Sequence, residues 1–101
     1  MNEHWEFALT RRARMRGLLF CEPSNVTLVL APCKDVHTFG MKHPIDIVFV
    51  AHDGRVLATF YNVAPSQRRR CKKAAFVIER FSSEQPWYSE GDYLGIFPAK
   101  R

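Results

Sequence analysis

The segment from Cys33 to Asp46 concentrates side chains that could do chemistry. Cys33 and His37 could form a nucleophile and its base, and His43 adds another side chain that binds metals. The spacing matches no recurrent metal site, and no third group or oxyanion hole is evident for a nucleophilic reaction. We therefore predict neither a metal site nor a cofactor, and a Cys33–His37 nucleophilic pair is a minor alternative.

Asp46 is the most informative of these side chains because it lies at the entrance of an apolar strand. In the run Ile45–Val50, Asp46 shares one face with Val48, and Ile47 lies on the other face. Both faces are apolar, which is typical of a strand buried on both sides, and an unpaired carboxylate there would cost several kcal/mol. Asp46 must accept hydrogen bonds, either from the backbone of the preceding loop or from a ligand in a pocket. We favour the loop.

Glu79 poses the same question, since it follows the apolar run Phe76–Ile78. It could pair with Arg16 or Lys42, and a buried carboxylate of this kind is usually part of a structural ion pair. If Asp46 and Glu79 converged beside a basic residue, an acid–base site of hydrolase type would be possible. The sequence leaves open whether the chain is an enzyme.

The net charge of +5 arises from two short basic clusters. They contain nine of the 15 lysine and arginine residues, so the rest of the chain, with its 10 acidic residues, is net negative. Such clusters can bind phosphates when the fold brings them together, although no recognised DNA- or RNA-binding motif is present. The first cluster spans residues 11–16 (Arg11, Arg12, Arg14 and Arg16), and the second lies in a predicted loop (Arg68, Arg69, Arg70, Lys72 and Lys73).

The hydrophobic pattern predicts five or six strands and one or two short helices. A helix from Arg11 to about Leu19 begins after the capping residue Thr10, and Asp53-Gly54 joins two strands of a β-hairpin. Residues 33–44 follow neither period, which predicts an irregular connection. The predicted strands are residues 5–9, 26–30, 45–51, 55–63, 74–81 and 93–97. We expect an α+β domain whose sheet is mostly antiparallel and strongly bent or barrel-like.

Length and composition limit the class of protein. With 101 residues and 47% hydrophobic content, the chain is large enough for one globular domain spanning residues 1–101. No apolar run approaches the roughly 20 residues of a membrane helix, and the first residues do not form a signal peptide. Three cysteines without a C-x-x-C pair favour free thiols. We therefore expect a soluble cytoplasmic protein that does not bind membranes.

Several short motifs occur in the same order as in a known family. They are RMRGLL (14–19), TFGM (38–41), PIDIVFV (44–50) with Asp53-Gly54 and Val56, then Pro65, AAFVIE (74–79) and Gly91-Asp92. Together they resemble the DUF192 family, which comprises small bacterial and archaeal domains of unknown function. The resemblance implies a single α+β domain with a barrel-like sheet and no established activity. The family's aromatic-Met-Lys-Asn motif is replaced here by Gly40–Pro44, so no role of that asparagine is transferred.

The preferred interpretation is a non-catalytic binding or accessory domain. Polar residues border the apolar strands without forming a recognisable catalytic set, which favours a pocket at the end of the sheet for a small ligand or a protein partner. Nucleic-acid or polyanion binding through the two basic clusters is the first alternative. The second is an enzyme, either a hydrolase that uses Asp46 or Glu79 or one with a metal held by His37 and His43. The residues expected to line the pocket are Arg16, His37, Met41, Lys42, Asp46 and Glu79.

Overall fold

The computed structural model describes residues 4–94, which form seven strands and one helix. These elements are β1 (His4–Ala8), α1 (Arg11–Arg16), β2 (Val26–Leu30), β3 (Asp35–His37), β4 (Ile45–Val50), β5 (Val56–Val63), β6 (Arg68–Arg70) and β7 (Phe76–Phe81). The first five predicted strands are confirmed to within two residues at each end. β3 and β6 lie in segments predicted to be irregular. Of the predicted strand 93–97, residues 95–97 lie outside the described residues.

Five strands form the main sheet in the order β1-β2-β7-β4-β5, and β3 pairs with β6 in a separate two-stranded sheet. β1 runs parallel to β2, whereas the other strand pairs within residues 4–94 are antiparallel, as predicted. Both sheets are open, because β1 and β5 are opposite edges of the main sheet, so the prediction of a barrel-like sheet is not borne out. With one helix of six residues in the described part of the chain, the domain is mainly β rather than a balanced α+β fold.

Apolar side chains pack on both faces of the main sheet. The first face contains Ile47, which belongs to the same buried cluster as Leu18. The second face contains Val48, whose cluster is partly covered by Trp87. Burial on both sides explains why β4 is apolar at every position except Asp46.

The pairing of β4 with β7 determines where the two buried carboxylates point. Asp46 lies opposite Arg80 in the register, and Ile47 lies opposite Glu79. Because successive side chains of a strand point to opposite faces, Glu79 belongs to the first face and Asp46 to the second. The two carboxyl groups therefore lie on opposite sides of the sheet and do not converge.

α1 is shorter than predicted because Gly17 ends it. Thr10 caps the helix as predicted, since its hydroxyl accepts a hydrogen bond from the Ala13 N–H at 3.1 Å. No residue of α1 is buried, and the apolar side chain of Met15 is 73% exposed. The packing comes instead from Leu18, one residue after the glycine. No helix within residues 4–94 has the length and apolar character needed to cross a membrane.

The β4–β5 hairpin is confirmed, with Asp53-Gly54 in its connection. Gly54 adopts φ of +94°, a conformation that glycine adopts without strain. The Asp53 carboxylate accepts a hydrogen bond from the Arg55 N–H at 3.0 Å, which closes the turn.

Candidate ligand-binding cavity

A cavity of about 370 Å³ lies on the first face of the main sheet, where α1, the segment 32–41 and β7 meet. Its walls combine apolar side chains with cations from two elements, Arg11, Arg14 and Arg16 on one side and Lys34 on the other. Four of the six predicted site residues line this cavity, namely Arg16, His37, Met41 and Glu79. Lys42 is exposed and does not line it.

Glu79 is the buried acidic group of this cavity. Its side chain is 4% exposed, and burial raises its pKa from 4.5 to about 7, although a hydrogen bond from the Leu18 N–H acts in the opposite direction. The predicted ion pair with Arg16 or Lys42 is absent, since no ion pair within residues 4–94 involves Glu79. Glu79 is therefore a buried carboxyl group without a counter-charge among residues 4–94.

Gly17 makes room for this carboxyl group. A Cβ built on Gly17 would lie 3.1 Å from Oε1 of Glu79, closer than almost all Cβ contacts in proteins. Gly17 also has φ of +51° and ψ of −131°, a combination that only glycine adopts readily. The residue after α1 thus serves two purposes: it ends the helix, and it lets the backbone approach Glu79.

Replacement of Gly17 by alanine is expected to destabilise the fold by about 1 to 3 kcal/mol, because it combines backbone strain with the contact to Glu79. Gly91→Ala is the matched control, since Gly91 has φ of +95° but a Cβ there would meet nothing within 4 Å. Urea unfolding of both variants measures the difference. Equal losses in the two variants would show that the contact with Glu79 contributes nothing.

The outer wall of the cavity is held in place by the β3–β6 sheet. Val36 pairs with Arg69 in the register, and Thr38 follows directly after β3. The Thr38 hydroxyl donates to the Ala64 carbonyl at 2.7 Å and accepts from the Gln67 N–H at 2.8 Å. The segment that carries His37 and Met41 is therefore tied to the chain before β6.

Cys33 and His37 both line the cavity, but neither is arranged for nucleophilic chemistry. Burial raises the pKa of the Cys33 thiol, and the thiol donates to the Asp35 carbonyl at 3.4 Å. Nδ1 of His37 accepts from the Phe39 N–H at 3.3 Å, and the two rings stack with centroids 5.0 Å apart. A protonated thiol is a poor nucleophile. Among the described side chains, no group of three or more His, Cys, Asp or Glu residues could hold a metal ion.

The cations at the mouth of the cavity differ in how firmly they are held. Nη1 of Arg14 donates to the Leu9 carbonyl at 2.7 Å and to the Ala31 carbonyl at 3.5 Å. Arg16 is exposed, and its guanidinium lies 5.9 Å from the centre of the Phe20 ring. Arg14 therefore supports the wall, and Arg16 is available to a ligand.

The second basic cluster is partly neutralised by Asp35. Arg68 donates to Oδ1 of Asp35 from Nε at 3.0 Å and to Oδ2 from Nη2, and Arg70 lies 3.5 Å from Oδ2. These interactions lower the pKa of Asp35, and the hydrogen bond from Arg68 makes the largest contribution. Arg69 lies over the Phe60 ring at 5.3 Å, and Nζ of Lys34 reaches the Lys72 carbonyl at 3.1 Å. The basic cluster therefore adjoins the cavity through its contacts with Asp35 instead of forming a free loop. Lys73, the last residue of the cluster, is exposed.

Asp46 points to the second face, away from the cavity, and protein groups satisfy its carboxylate. Nε of Arg80 donates to Oδ2 at 2.8 Å, and the Asn62 N–H and the Ser82 hydroxyl donate to Oδ1 at 2.7 and 2.9 Å. These partners belong to β5, to β7 and to the residue after β7, not to the preceding loop that we favoured. Asp46 is 1% exposed and has no opening to a ligand in the cavity.

Arg80 is the important residue that the sequence analysis missed. Its guanidinium also donates to the Gln85 carbonyl at 2.8 Å and lies 4.4 Å from the centre of the Trp87 ring. The sequence does contain one signal for this role. Arg80 directly follows Glu79, and because neighbouring residues of a strand point to opposite faces, Arg80 must lie on the face opposite to Glu79. A cleft of about 660 Å³ adjoins Arg80 and Trp87, but Arg80 is the charged residue that lines it and is already bonded. We therefore place the candidate site in the cavity of the first face.

Comparisons with known proteins show the family and the fold. The family model DUF192, described as "Uncharacterized ACR", matches residues 2–83. A proposed transcription regulator from Sinorhizobium meliloti 1021 is 18% identical, with a TM-score of 0.69 over 77% of this chain and 67% of that chain. A protein of unknown function from Novosphingobium aromaticivorans DSM 12444 is 23% identical, with a TM-score of 0.68 over 77% of this chain and 62% of that chain. No curated protein matches the sequence. The match therefore spans about two thirds of each solved chain, and the likeness to these structures extends to the fold alone.

Proposed function

The chain belongs to the DUF192 family, and we propose that its cavity binds a small organic anion without catalysing a reaction on it. The observation that carries this proposal is the cavity of about 370 Å³, which combines a cationic mouth, apolar walls and one buried carboxyl group. Its volume lies within the range of small-ligand pockets, about 300 to 1,000 Å³. Apolar pockets with a few convergent polar groups are the usual form of a ligand site.

The charges at the mouth favour an anionic ligand. Arg11 and Arg16 extend from α1 on one side, and Lys34 lies on the other. Guanidinium groups bind carboxylates and phosphates in bidentate fashion, and such charge-assisted hydrogen bonds are stronger than neutral ones. Asp35 at the same wall is already paired with Arg68, so its negative charge does little to repel an anion.

The chemistry of the lining supports binding rather than catalysis. A hydrolase built on Asp46 and Glu79 would need both carboxyl groups on one side of the sheet, but the β4–β7 register separates them. The raised pKa of the Cys33 thiol keeps it protonated near neutral pH, which disfavours a covalent intermediate.

The alternative of nucleic-acid or polyanion binding receives less support. Arg68 and Arg70 are paired with Asp35, so the second basic cluster offers less free charge than its sequence suggests. The related fold from Sinorhizobium meliloti is described as a proposed transcription regulator, but 18% identity transfers no partner to this chain. A small anion is a better fit than a long polyanion to a cavity of about 370 Å³.

Titration with small anions tests this proposal by nuclear magnetic resonance of the backbone amides. The probes are acetate, butyrate, isocaproate, citrate and inorganic phosphate, and we expect at least one to shift amides of residues that line the cavity. Arg16→Gln is expected to weaken that binding about tenfold, since a charge-assisted hydrogen bond is worth about 1.5 to 3 kcal/mol. Arg12→Gln is the matched control, because Arg12 lies on the same helix but does not line the cavity.

Two outcomes would contradict the proposal. One is the absence of any shift at the cavity with every probe. The other is binding of a single-stranded oligonucleotide that depends on Arg69, Lys72 and Lys73 while the small anions have no effect; this would favour the polyanion alternative.

A further inference from the structure

We propose that the ligand also carries a protonated amine, which enters the cavity and pairs with Glu79, so that the ligand is a small amino acid or a related zwitterion. This inference rests on the proposed function, because it concerns the same cavity and assigns the second charge of the ligand. The anionic group would meet the cations at the mouth, and the ammonium group would meet Glu79 inside.

Glu79 has more acceptor capacity than the described part of the chain satisfies. An ionised carboxylate offers about four lone-pair sites. Within residues 4–94, Glu79 receives a hydrogen bond from the Leu18 N–H and takes part in no ion pair. It is 96% buried and lines the cavity, so a group inside the cavity can reach it.

The charged groups around Glu79 do not supply the missing counter-charge. On the helix side, Arg14 is committed to the Leu9 and Ala31 carbonyls, and Arg16 lies over Phe20. On the opposite wall, Lys34 bonds to the Lys72 carbonyl. Three further ionisable residues line that wall, and within residues 4–94 none of them forms an ion pair with Glu79: Cys33, Asp35 and His37.

An ammonium group fits this environment better than a neutral donor. Removing a carboxylate from water costs several kcal/mol, and a hydroxyl offsets less of that cost than a hydrogen-bonded cation does. The lining of the cavity also includes Leu18, Ile45 and Met41, whose apolar side chains suit the hydrocarbon part of a small amino acid. The arrangement of a cationic mouth, apolar walls and a buried anion is complementary to a zwitterion.

Paired probes that differ only in the amine test the inference on the full chain. The pairs are glycine and acetate, gamma-aminobutyrate and butyrate, and leucine and isocaproate, each titrated near pH 8, where Glu79 is ionised. We expect the amine to tighten binding at least about tenfold in one or more pairs. Glu79→Gln keeps the shape of the side chain but removes the charge, and we expect it to reduce that ratio to about one. Glu84→Gln, at an exposed position outside the cavity, is expected to leave the ratio unchanged.

Each contrary result has a distinct meaning. If the carboxylates bind in a manner that depends on Arg16 but the amine gives no gain, the zwitterion is excluded and the proposed function stands. If the gain from the amine persists in Glu79→Gln, the ammonium binds elsewhere and the assignment to Glu79 is wrong. If no probe of either kind binds, both proposals fail.

Discussion

The variant Glu79→Gln is expected to be more stable than the native chain near pH 8, by about 2 to 3 kcal/mol in the free energy of unfolding. The reason is the cost of holding an ionised carboxylate in a buried position. Burial raises the pKa of Glu79 from 4.5 to about 7, and each pKa unit corresponds to about 1.4 kcal/mol. The neutral amide of glutamine does not bear this cost and can still accept the hydrogen bond from the Leu18 N–H.

The sign of the effect follows from proton binding. Between pH 4.5 and about 7 the folded chain holds a proton on Glu79 that the unfolded chain has released. The stability of the native chain therefore falls as the pH rises through this window, and the contribution of Glu79 is constant above it. Below it both states are protonated, so the variant and the native chain should have nearly equal stability.

Urea unfolding at a series of pH values between about 4 and 8 measures this difference. Subtracting the two curves removes the contribution of the histidines, which both proteins share. Glu84→Gln is the matched control, because Glu84 is exposed and its replacement should change stability by less than about 0.5 kcal/mol at any pH. A variant that is less stable than the native chain near pH 8 would show that Glu79 stabilises the fold through an interaction of its charge.

The stability cost that we expect from the buried charge of Glu79 is itself an argument that the residue serves a function. A polar side chain that costs stability is commonly kept where binding or catalysis needs it. A ligand that brings a counter-charge would remove the cost, so the same contact would bind the ligand and stabilise the fold. Glutamine would give a more stable chain that binds less well.

The local pattern of the sequence predicted what each segment does, but not which segments meet. Alternation along Ile45–Val50 correctly separated Asp46 from Ile47, and Asp53-Gly54 correctly marked the hairpin. The relation of Asp46 to Glu79 depends on the register of β4 against β7, which joins residues 26 to 36 positions apart. Propensity and periodicity contain no information on such long-range pairing.

The basic run Arg68–Arg70 shows how a partner can override local preference. Three consecutive arginines favour a solvated loop, yet they form β6 because β3 provides the hydrogen-bonding partner strand and Asp35 provides the opposite charge.

Only part of the cavity lining could be predicted from the sequence. The sequence grouped His37, Met41 and Glu79 because they border the apolar strands, and all three line the cavity. The place of Arg14 in the wall depends on its bond to the Leu9 carbonyl, which no motif indicates.

Replacing Asp46 by alanine is expected to destabilise the fold by about 3 to 5 kcal/mol, the largest loss that we predict. The change leaves the Arg80 guanidinium, whose side chain is 12% exposed, without its counter-ion, and it removes the acceptor for the Asn62 N–H and the Ser82 hydroxyl. Asp46→Asn keeps Oδ1 for those two donors, so we expect it to cost less than alanine. The difference between the two variants in urea unfolding separates the neutral hydrogen bonds from the charge.

Two comparisons determine whether this network supports the fold or the ligand. Because Asp46 faces the side of the sheet opposite to the cavity, the folded fraction of Asp46→Asn should bind the small anions as the native chain does. The double variant Asp46→Leu, Arg80→Met should lose less stability than Asp46→Ala, since it removes both charges and fills the space with apolar atoms. A variant at Asp46 that keeps its stability but loses the ligand would contradict this division of roles. The two buried carboxylates are therefore told apart by binding: replacing either one changes the free energy of unfolding, but only the replacement of Glu79 should change the affinity for the ligand.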